Sequence, residues 1–245
     1  MKIATSLILL ASLAATPVYA GPADYVYTPT VEYGEREIDF KFGSASLADG
    51  QHRTDTSLGY GYGATEYWFT ELYLKRKLSG GADVTEAEWE NKFQLLETGK
   101  YPLDLGLITE IEVPISVSGP WELKLGPLLQ TEFGKLQLNG NMLFIRKYSS
   151  DGSGVQDPTE AAYQWQIKYR LQTSFEFGAQ GFGDLGEWDN WVNTKEEVNH
   201  TAGPAIFGKV PLGNRQAIKY NAAWLIGSGT GAADRTFRMQ AEYEF

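Results

Sequence analysis

The sequence has 245 residues, a formal net charge of −10 at pH 7, an aromatic content of 13% and no cysteine. The negative charge argues against a nucleic-acid partner, because phosphate binding requires a basic surface. The lack of cysteine excludes disulfide bonds as a source of stability. The mean hydropathy of −0.31 is ordinary for a soluble protein, but it also fits a chain whose strands expose only alternate residues to lipid.

Residues 1–20 have the organisation of a secretory signal peptide. Lys2 supplies a positive n-region, a short apolar stretch begins at Leu7, and residues 18–20 (VYA) form a small-x-small cleavage site. We therefore expect Sec-dependent export with cleavage after Ala20, so that Gly21 begins the mature chain.

Residues 21–35, here called the N-terminal segment, contain two prolines and are expected to lie in the periplasm. From residue 36 to residue 245, short stretches alternate apolar or aromatic residues with polar ones. This period of two is the side-chain period of a β-strand. The first stretch places Ile38, Phe40 and Phe42 on one face, and equivalent patterns recur to the end of the chain.

About twelve such stretches occur, each long enough to cross a bilayer at a tilt. The connections between them alternate between long and short, as in barrels with long external loops and short periplasmic turns. A sandwich with Greek-key connections has no reason to show this alternation. The sequence therefore predicts an all-β fold, a closed antiparallel transmembrane β-barrel of about 12 strands over residues 36–245. The long connections are expected near residues 44–53, 77–86, 113–120, 147–160, 183–201 and 227–234, and the short ones near 63–65, 98–102, 133–135, 172 and 211–215.

The two faces of such strands suit two different surroundings. Tyrosine and tryptophan are typical of membrane boundaries, so we expect the aromatic faces to point outward. These aromatic residues are Trp68, Trp89, Trp121, Tyr163, Trp165, Tyr169, Trp224 and Tyr243. The polar faces then line the lumen, where charges either select solutes or form cross-strand ion pairs that fill it. The lumen and selectivity candidates are Lys92, Glu110, Lys124, Glu132, Gln166, Lys168, Arg170, Glu176 and Arg238.

The sequence offers little support for catalysis, and we expect no catalytic residues, cofactor or metal. His52 and Ser57 lie near the expected outer rim and leave open a barrel-embedded hydrolase of lipids or esters. His200 is expected to be a surface residue. Divalent cations could bind to residues 151–157 or to acidic loop residues, although a flexible acidic loop explains both segments equally well. The acidic loop residues are Asp184, Glu187, Asp189, Glu196 and Glu197.

The last strand alternates without interruption to the final residue, with Tyr243 and Phe245 on its aromatic face. This ending resembles the C-terminal strand of bacterial outer-membrane β-barrels, where the terminal aromatic belongs to the signal read by the barrel assembly machinery. Residues 126–135, 203–207 and 235–245 resemble the MetA-pathway phenol-degradation, or putative transporter, barrel family.

The resemblance implies a protein of the outer membrane of Gram-negative bacteria, in contact with lipid and lipopolysaccharide. It also implies a channel or transporter, comparable to a porin, for small and hydrophobic solutes. No catalytic residue carries over from the family. The alternatives to a channel are the hydrolase near His52 and Ser57, and a closed barrel with a structural or binding role through its external loops.

Removal of Phe245 is expected to impair membrane insertion more than it changes strand pairing, because the terminal aromatic would serve as an assembly signal. The measurement is the amount of heat-modifiable protein in the membrane fraction. A Phe245 deletion that inserts as well as the intact protein would contradict this assignment.

Overall fold

The computed structural model describes residues 21–47, 50–149, 158–190, 198–229 and 231–245. These residues contain twelve β-strands, most of them between 10 and 13 residues long. The strands are β1 (Arg36–Ser46), β2 (His52–Gly63), β3 (Trp68–Ser79), β4 (Ala82–Gln94), β5 (Asp104–Pro114), β6 (Trp121–Phe133), β7 (Leu136–Tyr148), β8 (Glu160–Gln172), β9 (Phe175–Glu187), β10 (Asn199–Gly213), β11 (Gln216–Ser228) and β12 (Arg235–Glu244).

Each strand pairs antiparallel with its neighbours in sequence, and β12 pairs with β1, so the sheet is a closed barrel. At this closure Phe42 lies opposite Met239, and the Phe245 N–H donates to the Arg36 carbonyl at 2.9 Å. A closed sheet has no free edge, so its strand backbone groups find partners within the wall. The predicted fold is confirmed. In the described part of the chain, no helix is long and apolar enough to span a membrane.

The outer surface of the barrel carries the aromatic and aliphatic faces of the strands. Trp89, Trp121, Tyr169 and Trp224 are exposed, as expected. Four other aromatic residues are only partly exposed because they pack against neighbouring side chains, and these are Trp68, Tyr163, Trp165 and Tyr243. Together with exposed leucines and isoleucines they form an apolar surface more extensive than a soluble monomer normally presents.

Two of the connections expected to be long are short. Residues 80 and 81 alone join β3 to β4, and residues 47–51 join β1 to β2. Gly80 and Gly81 have φ angles of 56° and 86°, which suits the tight turn between two antiparallel strands. Both strands of this hairpin therefore extend further than predicted, and Arg76 and Asp83 pair across the extension at 2.6 Å.

The N-terminal segment runs through the inside of the barrel, not through the periplasm where we expected it. Ala23, Val26 and Tyr27 are each at most 7% exposed. The Tyr25 hydroxyl donates to Glu90 on β4 at 2.6 Å, and the Val31 N–H donates to Gln94 at 2.8 Å. These partners lie on inward-facing positions of the wall, so the segment occupies the lumen.

The segment crosses the lumen lengthwise. Its last residues lie at the end of the barrel where β2 finishes, since the Gly34 N–H donates to the Gly63 carbonyl at 2.8 Å. Its first residue, Gly21, lies beside Asp55, further along β2 toward the opposite end. The chain therefore descends through the interior before it turns into β1.

Inward-facing glycines make room for the backbone of this segment. A Cβ atom on Gly43 would lie 2.0 Å from the Pro22 carbonyl oxygen, and one on Gly63 would lie 2.0 Å from the Glu32 carbonyl oxygen. Real Cβ contacts are never this short, so a side chain at either position would push the segment away from the wall. The segment can therefore lie against the wall because Gly43 and Gly63 have no side chains.

Replacement of Gly43 by alanine is expected to displace the start of the N-terminal segment and leave the wall intact. Overpacking of this kind costs about 1–3 kcal/mol. The measurement is the rate at which chymotrypsin cleaves after Tyr25 in refolded protein, which should rise. Gly140→Ala is the matched control, because a Cβ there meets nothing within 4 Å. Equal protection in both variants would contradict the packing described here.

Candidate functional site

The nine side chains expected in the lumen all lie on inward-facing positions of their strands. The most deeply buried are Arg238 at 1%, Glu110 at 3% and Gln166 at 6% exposure. Lys92 lies with its Nζ 4.9 Å from the centre of the Phe69 ring. The alternation of the sequence therefore identified the lumen face, although it did not show what these side chains contact.

Basic residues on β3 and β6 are paired with carboxylates on β4 and β5. Lys75 Nζ lies 2.7 Å from Glu88 and 2.5 Å from Glu112, which also binds Lys77 at 2.6 Å. Lys124 Nζ lies 2.6 Å from Glu110. Buried charges are costly unless they are paired, so these contacts hold the side chains against the wall.

A second group of ion pairs lies near the end of the barrel where β6, β8 and β9 meet their short turns. Arg170 lies 2.7 Å from Glu132, and Lys168 lies 3.2 Å from Glu176. Arg170 also donates to Gln137 at 2.5 Å. Six of the nine predicted lumen residues are thus members of ion pairs, and these are Glu110, Lys124, Glu132, Lys168, Arg170 and Glu176.

A layer of amide side chains crosses the interior between these two groups. Arg238 links its two halves, donating to Gln180 at 2.6 Å and to Asn221 at 3.2 Å. The layer consists of Gln130, Gln137, Asn139, Gln166 and Gln180 on one side, and of Asn221 and Gln240 on the other. Only Gln166 and Arg238 of this layer were predicted from the sequence, because an isolated amide on a strand does not reveal its partners.

Lys41 anchors the N-terminal segment to the wall on the opposite side. Its Nζ lies 3.6 Å from the centres of both the Tyr25 and Tyr73 rings, and 3.3 Å from Asp39. Asp39 also accepts hydrogen bonds from the Tyr73 hydroxyl at 2.7 Å and from Gln240 at 2.9 Å. A buried ammonium between two aromatic faces is a strong local cation–π arrangement. The sequence did not predict this contact, because the pattern of β1 shows only that Lys41 lies on its polar face.

Apolar side chains also face the lumen, where the sequence predicted polar ones. They form two clusters, one around Tyr27 and one around Val26. The first cluster holds Ile108, Leu128, Leu143, Ile145 and Ala162, and the second holds Phe182, Ala205, Phe207, Ala223 and Leu225. These residues give the N-terminal segment an apolar surface to pack on. Ile108 and Leu128 are apolar residues on otherwise polar strand faces. This exception in the sequence could have predicted apolar contacts inside the barrel.

Two small cavities lie beside the N-terminal segment in the described part of the chain. Cavities of about 30 Å³ and 50 Å³ flank Asp24. On this measure a water needs roughly 10–15 Å³, so each cavity holds a few waters. Around Asp24, the segment therefore takes up much of the lumen that the described residues enclose.

Glu35, Glu37 and Glu244 bring three carboxylate oxygens within 4.8 Å of one another at the β1–β12 closure, a spacing that could hold a metal ion. Lys219 already supplies a positive charge there, since its Nζ lies 3.1 Å from Glu35 and also contacts Glu244. Burial raises the pKa of Glu35, and the neighbouring Lys219 opposes that increase. Lys219 therefore offsets part of the negative charge of the cluster.

The residues of the alternative hydrolase are not brought together. His52 Nδ1 lies 3.3 Å from Ser46 Oγ at the rim, whereas Ser57 is buried and faces the lumen. Five residues along a strand correspond to roughly 17 Å. His200 Nδ1 lies 2.5 Å from the Tyr163 hydroxyl on the outer face.

The acidic segments proposed for divalent cations are only partly described. Asp184 faces the interior and is 8% exposed, and Glu187 ends β9. Residues 151–157 and the pair Glu196 and Glu197 lie outside the described residues. The structure therefore assembles no cation site from these segments in the part that it describes.

No family model and no curated protein matches the sequence. Among solved structures, the chain is similar to the COG4313 outer membrane channel from Pseudomonas putida F1, with a TM-score of 0.63 and 12% identity over 92% of this chain and 99% of that chain. It is also similar to the KdgM porin in complex with disordered oligogalacturonate, with a TM-score of 0.55 and 8% identity over 85% of this chain and 98% of that chain. At these identities the similarity shows a shared barrel fold.

Proposed function

We propose that this protein is an outer-membrane channel for small solutes that opens when its N-terminal segment leaves the lumen. The observation that carries the proposal is a charged, polar-lined lumen filled by a segment that is not one of the wall strands. The barrel folds of the channels described above support the same function. A narrow polar path through a closed barrel is how such proteins pass solutes.

The wall of the barrel does not depend on the segment for its backbone hydrogen bonds. The twelve strands pair only with one another, and the segment adds contacts near its end, where the Gly34 and Glu35 backbones bond to Gly63. Its other polar contacts are mainly through side chains, such as Gln164 and Asn141 to the Tyr27 backbone at 3.4 Å and 3.0 Å. Its departure would therefore open a path and leave the barrel intact.

The lumen would favour cations. Inward-facing carboxylates outnumber inward-facing basic groups in the described residues, and an excess of one sign of charge selects the opposite ion. The carboxylates are Glu35, Glu37, Asp39, Asp55, Glu71, Glu86, Glu88, Glu90, Asp104, Glu110, Glu112, Glu122, Glu132, Glu176, Asp184, Glu242 and Glu244. The basic groups are Lys41, Arg53, Lys75, Lys77, Lys92, Lys124, Lys147, Lys168, Arg170, Lys209, Lys219 and Arg238.

The class of solute follows from the two kinds of lumen surface that would be exposed when the segment leaves. The strands from β1 to β5 present charged side chains, while the clusters around Val26 and Tyr27 present apolar ones. A path with one acidic and one apolar side suits small molecules that carry both a positive charge and an apolar part. This proposal retains part of the expectation of a hydrophobic solute and adds a charge to it.

The location that goes with this function is the outer membrane. The apolar outer surface supports contact with lipid and lipopolysaccharide, and residues 1–20 support Sec-dependent export with cleavage after Ala20. Tyr243 and Phe245 stack with ring centres 5.5 Å apart at the end of β12, where the assembly machinery would read them.

A variant that lacks residues 23–32 is expected to conduct several times more ions than the intact protein in planar bilayers, because the lumen would be empty. In a salt gradient its reversal potential should show a preference for cations, and Lys168→Glu with Arg170→Glu should increase that preference. Glu97→Gln, on an exposed turn, is the control. A folded deletion variant that conducts nothing would favour the closed barrel that acts through its external loops.

A further inference from the structure

The first residue of the expected mature chain lies inside the barrel beside two carboxylates. The Gly21 nitrogen donates to Asp24 Oδ2 at 2.9 Å. A Cβ atom on Gly21 would lie 2.9 Å from Asp55 Oδ2, 3.0 Å from Asp24 Oδ1 and 3.4 Å from the Arg53 guanidinium that pairs with Asp55. Asp24 belongs to the N-terminal segment and Asp55 to β2, so two separate elements converge on this residue.

We propose that the α-ammonium group produced at Gly21 by signal cleavage binds Asp24 and Asp55 and fastens the N-terminal segment inside the lumen. Cleavage adds water across the peptide bond between Ala20 and Gly21. The new carboxylate leaves with the signal peptide, and the new amine takes up a proton at neutral pH, since α-amino groups have pKa values near 7.7–8.0. The inference rests on the cleavage expected after Ala20 and on the closed state of the proposed channel.

The charges around Gly21 leave a place for one more cation. Asp55 has a basic partner, Arg53, at 2.8 Å. Among the described residues, no basic side chain forms an ion pair with Asp24 within 4.0 Å. Four lysines line the same cavity, and each pairs with a carboxylate other than Asp24 and Asp55: Lys41 with Asp39, Lys75 and Lys77 with Glu112, and Lys124 with Glu110. The two carboxylates and Arg53 alone carry a net negative charge, which an ammonium group at Gly21 neutralises.

An ammonium group can also donate more hydrogen bonds to these carboxylates than a peptide amide can. A peptide N–H offers one donor, which Asp24 already accepts. An ammonium group offers three donors and a full charge, so it can reach Asp24 and Asp55 together, and charge-assisted hydrogen bonds are about twice as strong as neutral ones. Processing would therefore create the contact that holds the tip of the segment.

The inference predicts that loss of the α-amine loosens the segment without changing the barrel. Intact mass should first show that protein from the outer membrane begins at Gly21. Treatment of the unfolded mature protein with pyridoxal 5′-phosphate converts the α-amine to a carbonyl and leaves the lysines unchanged. After refolding, chymotryptic cleavage after Tyr25 should be about tenfold faster or more, because charge-assisted hydrogen bonds that hold the segment are lost.

Asp24→Asn should have a similar effect, and the two changes together should add little to either one, because both remove the same contact. Glu97→Gln, on an exposed turn far from Gly21, is the control and should leave the cleavage rate unchanged. Heat modifiability on gels confirms that each barrel is folded.

An N-terminus at another residue would overturn the inference. So would a cleavage rate that neither transamination nor Asp24→Asn changes. Because protease protection does not depend on ion flow, this result is separate from the channel itself, which fails only if the variant without residues 23–32 does not conduct.

Discussion

The structure depends on one constraint, that polar and charged groups facing the interior of a closed sheet need partners, which the wall, a segment inside it or water can supply. Twelve strands enclose a wider interior than eight, and wall side chains alone do not fill it. Inward-facing glycines such as Gly43 and Gly63 widen it further. The N-terminal segment occupies that space, with Val26 and Tyr27 against apolar clusters and Tyr25 against Glu90 and Lys41.

The same constraint explains the arrangement of charge. A buried ion needs a partner at short range, so many lysines in the wall lie beside carboxylates of nearby strands, as Lys75 does between Glu88 and Glu112. Arg238 instead donates to the amide oxygens of Gln180 and Asn221. Carboxylates still outnumber basic groups in the interior. This excess of negative charge would give the proposed channel its preference for cations, and it would attract the ammonium group of Gly21.

The sequence predicted the features that depend on a period of two. These features are the number and pairing of the strands, the outward position of residues such as Trp89 and Trp224, and the inward position of Lys168 and Arg238. The sequence also predicted short connections near residues 98–102 and 133–135, and Gly99 and Gly134 there have the positive φ angles that tight turns favour.

The sequence could not place groups whose contacts are distant along the chain. Residues 21–35 have no alternation of their own, and Tyr27 meets Asn141 and Gln164 only because the barrel closes around them. Ile108 and Leu128 looked like exceptions on polar faces until the segment was seen to pack on them. The short turn at Gly80 and Gly81 was missed because polar residues on both sides resembled a loop.

The position of the N-terminal segment can be measured directly, because the chain contains no cysteine and single cysteines report on their own surroundings. Val26 is 7% exposed inside the barrel, whereas Tyr33 in the same segment is 65% exposed at its end. In refolded protein, a charged thiol reagent should modify Val26→Cys many times more slowly than Tyr33→Cys. Equal reaction rates at the two positions would show that the segment lies outside the lumen and would contradict this account.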